Sequence, residues 1–260
     1  MTKSAVSPVT ITPIAGLPLF GPGDDLAAAL AQAIIANGIS PEAGDVLVVA
    51  QKVVSKTEGR FVRLAAVETS EADQALEVRS GKPAALCALI AGEAAEVMRV
   101  RDNLIVVRNR LGHVLANGGI DASNVASLDA PETVLLWPED PDASAARLRQ
   151  ALEARFAAPL AVIISDSLGR AWRIGTTGHA IGVSGLTPVL DRRGETDLFG
   201  RTLKATVIGV ADELAGAASL VIGEAAEGTP AALIRGARYR RSETDGVGPL
   251  LRPKAEDLFP

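Results

Sequence analysis

Two short apolar runs, Asp45-Val-Leu-Val-Val-Ala50 and Leu160-Ala-Val-Ile-Ile164, constrain the fold more than any other stretch of this 260-residue chain. Unbroken runs of this length, rich in β-branched residues, predict buried strands. Each delivers a polar cluster at its carboxyl end. Gln51-Lys52-Val-Val-Ser55-Lys56 follows the first, and Ser165-Asp166-Ser167 begins a strand-exit loop after the second. Helices are expected between them. Asp24 or Asp25 caps one over Leu26 to Ala36, which Asn37-Gly38 stops. A polar helix is expected over Glu71 to Val78, an Ala/Leu-rich one from Pro83 towards Met98, an amphipathic one over Asp142 to Phe156, and a last one over Asp212 to Ile222.

Val9 to Phe20 reads as a strand that breaks into a loop at Gly16-Leu-Pro18, Leu203 to Val210 suggests another strand, and a further short element starts over Pro230 to Ile234. Leu104 to Val107 and His113 to Ala116 flank Arg108-Asn-Arg110-Leu-Gly112 as a hairpin. Such pairs interrupt any regular strand–helix alternation, so the expected class is α+β rather than a doubly wound sheet. No repeat or clear linker divides residues 1–260, which read as one domain. The Pro/Gly-rich tail from Gly246 to Pro260 reads as a surface extension or an intersubunit arm.

Composition removes several functions. Apolar residues are 48% and charged residues 22%, values of a folded globular chain. Lys plus Arg number 26 against 31 for Asp plus Glu, scattered along the chain, so a general nucleic-acid partner is not expected. One cysteine, Cys87, and two histidines, His113 and His179, cannot make a Cys/His zinc cage, and Cys87 is expected in the core. No run approaches the roughly 20 apolar residues of a membrane span, and MTKSAVSPVT does not read as a signal peptide. A soluble, cytoplasmic protein is expected.

The sequence carries no G-x-x-x-x-G-K-[ST], no G-x-G-x-x-G opening a helix after a strand and no G-x-S-x-G elbow. His113 is expected as a structural histidine, while His179 stands in an apparent Gly/Thr-rich loop. What remains is oxygen chemistry. Asp121, Asp166, Ser167 and Glu224 each stand at the end of an expected strand or helix, beside Gly, Ser or Asn. Hard oxygen donors without His or Cys select Mg²⁺ or Mn²⁺ and leave room for phosphate oxygens. Taken singly, each is more simply a cap or turn former. Cations stand in comparable places: Lys52, Lys56 and Arg60 after the first run, and Arg170 and Arg173 after Asp166. Ser165-Asp-Ser-Leu-Gly-Arg-Ala-Trp-Arg173 has the composition of a site rather than a spacer. By residue chemistry alone, a metal-dependent phosphohydrolase and a nucleotide-holding binding module stay open.

Several long segments together resemble the coenzyme F420:L-glutamate ligases. They are Gly16-Leu-Pro-Leu19, Gln51-Lys-Val-Val-Ser-Lys-Thr-Glu-Gly-Arg60, Asn117-Gly-Gly-Ile-Asp-Ala-Ser-Asn124, Ser165 to Arg173, Asp191-Arg-Arg-Gly194 with Asp197-Leu-Phe-Gly-Arg201, and Gly223-Glu-Ala-Ala-Glu-Gly228. The resemblance implies a GTP-dependent ligase that joins L-glutamate to the deazaflavin precursor F420-0, forming an amide and then a gamma-glutamyl bond through an acyl phosphate, and releasing GDP and phosphate. It implies a family-specific mixed fold with two lobes and an intertwined homodimer. By the same resemblance, Asp121, Asp166, Ser167 and Glu224 would hold two divalent cations, with a monovalent cation such as K⁺ as a further cofactor. Leu17, Pro18, Leu19, Phe20, Gln51, Lys56, Asn124 and the stretch Ile222, Gly223, Ala225, Ala226, Glu227, Gly228 and Thr229 would contact the guanine nucleotide. Lys56 and Arg170 would act catalytically on developing charge. Two positions depart from the family pattern: Glu224 stands where Gln is common, and Gly118 where Ala is common. Some relatives carry a C-terminal nitroreductase-like domain, and with the sequence ending at Pro260 that activity is not expected here.

Overall fold

The computed structural model describes residues 8–125 and 132–257. The first residues of the segment read for a signal peptide, and the last three of the tail, lie outside them. In chain order the strands and helices are β1 (Thr10–Pro13), α1 (Leu26–Ala36), β2 (Val46–Ala50), α2 (Gln51–Thr57), β3 (Phe61–Arg63), α3 (Glu71–Ser80), α4 (Ala84–Glu93), β4 (Ala94–Arg101), β5 (Leu104–Asn109) and β6 (Val114–Ala116). Then come β7 (Thr133–Leu135), α5 (Pro141–Phe156), β8 (Ala161–Gly169), β9 (Thr176–Ser184), β10 (Leu190–Asp191), β11 (Val207–Ile208), α6 (Val210–Ile222) and β12 (Ala231–Arg235).

The two apolar runs, β2 and β8, lie side by side and parallel at the middle of a mixed five-stranded sheet of order β1-β12-β2-β8-β9, whose other pairings are antiparallel. Both faces of this sheet are covered, which is why the runs show no polar alternation. Leu47, Val49, Val162 and Ile164 pack under α1 and α5, through Leu30, Ile34, Leu148 and Leu152. Val46, Val48, Ala161 and Ile163 face α6, through Ala211, Leu214, Ala215 and Ala218. A smaller unit places α3 and α4 against the antiparallel sheet β4-β5-β6, around Cys87, Ile90, Ile105 and Val107. Helices with mixed sheets make the class α+β, as expected.

Several local expectations hold, the strand bounds of the hairpin shifting by one or two residues. Asp25 caps α1 by accepting from Ala28 N at 2.9 Å, and the helix ends at Asn37. The β5–β6 hairpin forms, with Asn109 Oδ1 accepting from Leu111 and His113 across its turn. Cys87 is buried.

Others are corrected. The helix after Pro83 stops at Glu93, because Ala94 to Arg101 alternates in burial residue by residue and pairs with β5. Ser165, Asp166 and Ser167 are not in an exit loop: β8 runs on to Gly169, paired with β9 past a bulge at Ile164/Ser165. His179 lies inside β9, opposite Asp166, rather than in a loop. Leu203 to Val210 yields only the two-residue strand β11. Gln51 to Thr57, for which no helix was anticipated, turns directly from strand into α2. The tail, expected as a surface extension or an intersubunit arm, lies mostly exposed and is pinned to its own chain where Val247 N donates to Asp142, Lys254 pairs with Glu96 and Asp257 with Arg108.

β9 is squeezed between helices, and glycine permits it. A Cβ on Gly182 would run into the carbonyl oxygen of Pro141 at the start of α5, and one on Gly178 into that of Ala215 in α6. Gly182→Ala should therefore cost about 1–3 kcal/mol in urea unfolding, as overpacked cores do. Gly92→Ala in α4, where a Cβ meets nothing within 4 Å, should instead stabilise by about 0.5–1 kcal/mol. Equal effects would contradict the close approach.

Candidate active site

At the carboxyl ends of β2 and β8 opens a cleft of about 640 Å³, within the range of roughly 300–1,000 Å³ common for small-molecule sites. Three chain segments bound it: the loop Leu17 to Phe20, helix α2, and the turn from Ile222 to Pro230 that follows α6. Ser165, Asp166 and Ser167 line the part contributed by β8. The sequence therefore places these groups together by ending both central strands on one side of the sheet, where α/β proteins commonly bind ligands.

One short strand positions both buried carboxylates. Asp121 forms an antiparallel bridge with Leu135 of β7, with Asp121 N donating to Leu135 O at 2.9 Å and Leu135 N to Asp121 O at 2.8 Å. Two residues beyond Leu135, Trp137 Nε1 donates to Asp166 Oδ2 at 2.8 Å. Asp166 Oδ1 accepts from Ser167 N at 2.8 Å. The indole fits because Gly119 has no side chain: a Cβ there would stand 2.6 Å from the ring, and the backbone at Gly119 has φ +75°. His113 packs edge-on against Trp137, with ring centroids 5.3 Å apart.

Burial pushes the Asp166 carboxyl up to about 6, and the negative charge of Asp121 adds to the push. Asp121 is raised as well, first by burial, against the opposing pull of Lys52. Lys52 Nζ lies 3.0 Å from Asp121 Oδ1. Lys56, one turn further along α2, donates to the carbonyl of Asn124 at 2.6 Å, and its pKa is lowered by burial and then by Lys52. Asn124 Nδ2 in turn donates to Ala225 O at 3.0 Å, tying the Asn117–Asn124 segment to the Glu224 turn. Thr229 Oγ1 secures that turn by donating to the carbonyls of Val221 and Ile222.

Asp166, Ser167, Glu224, Lys56, Gln51, Asn124, Leu17 to Phe20 and Ile222 to Thr229 all border this one cleft. Asp121 joins through Lys52, itself a cleft residue. Arg170 does not join them: it sits in the exposed turn after β8 and donates to Gly175 O at 3.0 Å. Lys52 and Trp137 are the groups that sequence reasoning undervalued. Lys52 carried a signal, lying one helical turn before Lys56. Trp137 carried only a faint one, an indole in an apolar run that needs a partner for its N–H.

The donors suit hard divalent cations: carboxylate and hydroxyl oxygens line the cleft, and Asp121 Oδ2 is buried with no hydrogen-bond partner among the described residues. Among the same residues no three His, Cys, Asp or Glu side chains are gathered closely enough to hold an ion between them. Lys52 supplies the counter-charge to Asp121.

The cleft sets half-buried carboxylates beside two lysines, an arrangement suited to an enzyme that handles charged ligands. Comparison with known proteins narrows the class. Residues 16–236 match the family described as F420-0:Gamma-glutamyl ligase. Over 252 residues the chain is 44% identical to the coenzyme F420:L-glutamate ligase of Methanothermobacter thermautotrophicus, covering 96% of this chain and 98% of that one. It is 41% identical over 241 residues to the ligase of the same name from Methanopyrus kandleri, covering 92% of each. The identity to that of Archaeoglobus fulgidus is 42% over 228 residues, 88% of each. The chain belongs to the F420-0:gamma-glutamyl ligase family. Among the described residues no helix is long and apolar enough to cross a membrane.

The site also sets a pH limit on the fold. Burial pushes the His113 imidazole down to about 4, with repulsion from His179 adding. The unfolded chain therefore binds the proton more readily, and stability falls as pH drops from about 6.5 through 4, by up to roughly 3 kcal/mol. His113→Gln should flatten that part of the urea-stability profile against pH. A profile as steep as wild type would show that the imidazole is not the group responsible.

Proposed function

We propose that this protein joins L-glutamate to the deazaflavin precursor F420-0 in a GTP-dependent reaction, first as an amide and then through a gamma-glutamyl bond. One observation carries the reading: the residues expected to contact the guanine nucleotide border a single cleft with Asp166, Ser167 and Glu224, three of the four oxygen donors expected to hold metal, and Asp121 pairs with the cleft residue Lys52. The names of the relatives support the glutamate and the coenzyme.

The reaction must bring a carboxylate to a polyanionic triphosphate. Two unit charges of one sign at 4 Å repel by about 4 kcal/mol at an effective dielectric of 20. Asp121, Asp166, Ser167 and Glu224 are the groups that would hold two divalent cations, Mg²⁺ or Mn²⁺. When bound, these supply the positive charge that draws phosphate and carboxylate oxygens together and polarises the transferred phosphoryl group. Gln51, Asn124, the Leu17–Phe20 loop and the Ile222–Thr229 turn grip and orient the nucleotide. An oxygen of the substrate carboxylate attacks the γ-phosphorus in line, the bond to the β-phosphate oxygen breaks, and GDP leaves with an acyl phosphate in place. The amine of glutamate then attacks the acyl carbon and expels phosphate. Lys56 and Lys52 lie beside these acids and stabilise charge on the departing groups. Arg170 could take part only if its exposed turn moved inward.

The same reading includes a monovalent cation such as K⁺ as a further cofactor, a cytoplasmic setting and an intertwined homodimer of two-lobed subunits. Trp172, Ile174, Leu198 and Phe199, large apolar side chains almost fully exposed on two loops, support pairing with a second copy.

Mass spectrometry after incubation with F420-0, L-glutamate, GTP and Mn²⁺ should show one or more added glutamyl units, with GDP and phosphate released in step. Steady phosphate release without glutamate would point to a phosphohydrolase instead. Asp166→Asn keeps an acceptor for Trp137 Nε1 and should leave the thermal midpoint near wild type while turnover falls by at least 100-fold. Near-normal ligation would remove the metal role from this residue. Glu224→Gln should stay active with an altered Mg²⁺/Mn²⁺ preference, and complete inactivation would contradict its assigned place.

A further inference from the structure

Three neighbours pin the buried residue Trp137. Its ring passes over Gly119, where a Cβ would stand 2.6 Å away, and His113 packs edge-on against it with centroids 5.3 Å apart. Its carbonyl accepts from Arg60 Nε at 2.8 Å, and Arg60 is fixed in turn by Glu139 at 2.9 Å. An indole has a single donor, and a buried one needs a partner. That donor goes to Asp166 Oδ2 at 2.8 Å, while Asp166 Oδ1 accepts from the Ser167 amide, also at 2.8 Å.

Each of these bonds takes one acceptor position on one oxygen, out of roughly four on the carboxylate. The last torsion of an aspartate side chain is soft and broadly two-fold, so a carboxylate without such anchors turns easily about that bond. With both anchors the plane is set, and each oxygen keeps an acceptor position to spare. The kind of donor matters as well. Lys52, 3.0 Å from Asp121 Oδ1, orients that carboxylate with a full positive charge, which also opposes a metal ion. The indole orients Asp166 with a neutral N–H and leaves its negative charge uncancelled. We propose that Trp137 is a positioning residue for metal binding: it aims Asp166 at the divalent cation without competing for its charge, and so sets how tightly the ion is held. The inference rests on the metal role given to Asp166 above. Groups that hydrogen-bond to metal ligands contribute roughly 10- to 100-fold to metal affinity in other proteins, and the same size of effect is expected here.

Two versions of the full-length protein remove the donor. Trp137→Phe deletes the N–H with part of the ring. Placing 3-benzothienylalanine at position 137 keeps a bicyclic ring of nearly the same shape with sulfur in place of the N–H, and keeps the test intact if the smaller ring folds poorly. Each should weaken binding of Mn²⁺ alone, read as loss of the free-ion EPR signal, by roughly 10- to 100-fold. In ligation assays the half-saturating Mn²⁺ concentration should rise in step while KM for GTP stays near wild type. Saturating Mn²⁺ should restore most of kcat, which a merely structural loss would not allow. In the wild type, the indole N–H resonance of Trp137, identified by its absence from both variants, should broaden as Mn²⁺ is added. Wild-type affinity for Mn²⁺ and an unchanged half-saturating concentration in the benzothienylalanine protein overturn the positioning role and leave the metal site standing. A Trp137 resonance untouched at Mn²⁺ concentrations that support ligation removes the ion from Asp166 and overturns its metal role, and the inference with it.

Discussion

The hydrogen bond from Trp137 Nε1 to Asp166 Oδ2 is the interaction on which the site depends. A half-buried carboxylate that stands near a second one is costly to keep ionised. The indole N–H and the Ser167 amide offset part of that cost and point the carboxylate in one direction. The same stretch of chain does more. Leu135 holds the Asp121 backbone, Trp137 holds Asp166, and Arg60 grips the Trp137 carbonyl, so the segment just after β7 ties two acids and an arginine to one rigid frame. Rigid placement matters because charges that must act on a transferring group are effective only when fixed beforehand.

That frame joins the two parts of the molecule. The five-stranded sheet supplies Asp166, Ser167 and the two lysines of α2, while the Asn117–Asn124 segment, carried on the smaller β4-β5-β6 unit, supplies Asp121 and Asn124. Gly119 marks the junction, where the absence of a Cβ lets the indole pass. The positive φ values at Asn117, Gly118 and Gly119 turn the chain sharply enough for Asp121 to reach β7 two residues later.

Legibility varied with how local the cause was. The capped helix at Asp25, the hairpin about Asn109 and the buried strand at Val46 follow from side chains within a few residues, so their patterns could be read directly. The end of α4 could not be. Ala84 to Met98 has helix-forming composition throughout, and only pairing with β5 draws Ala94 onward into a strand. Ser165 to Gly169 was read as loop because its residues are small and polar, yet β9 alongside it satisfies the backbone and keeps it extended. His179 was misplaced for the same reason: Thr and Gly around it suggest a loop, but Gly178 and Gly182 are there so that β9 can pass close to two helices.

The sequence by itself determined the inventory: which oxygens, amines and hydroxyls exist, which runs must be buried, and which family the long ordered motifs resemble. It also tied Lys52 and Lys56 to the end of β2 and Asp166 to β8, because groups a few residues from a central strand cannot travel far from it. Only the tertiary structure decided that Asp121 would stand beside Lys52, that Trp137 would be the partner of Asp166, and that Arg170 would lie outside the cleft. Those outcomes depend on the crossing of segments tens of residues apart, where packing and the satisfaction of buried polar groups, rather than local conformational preference, select the arrangement.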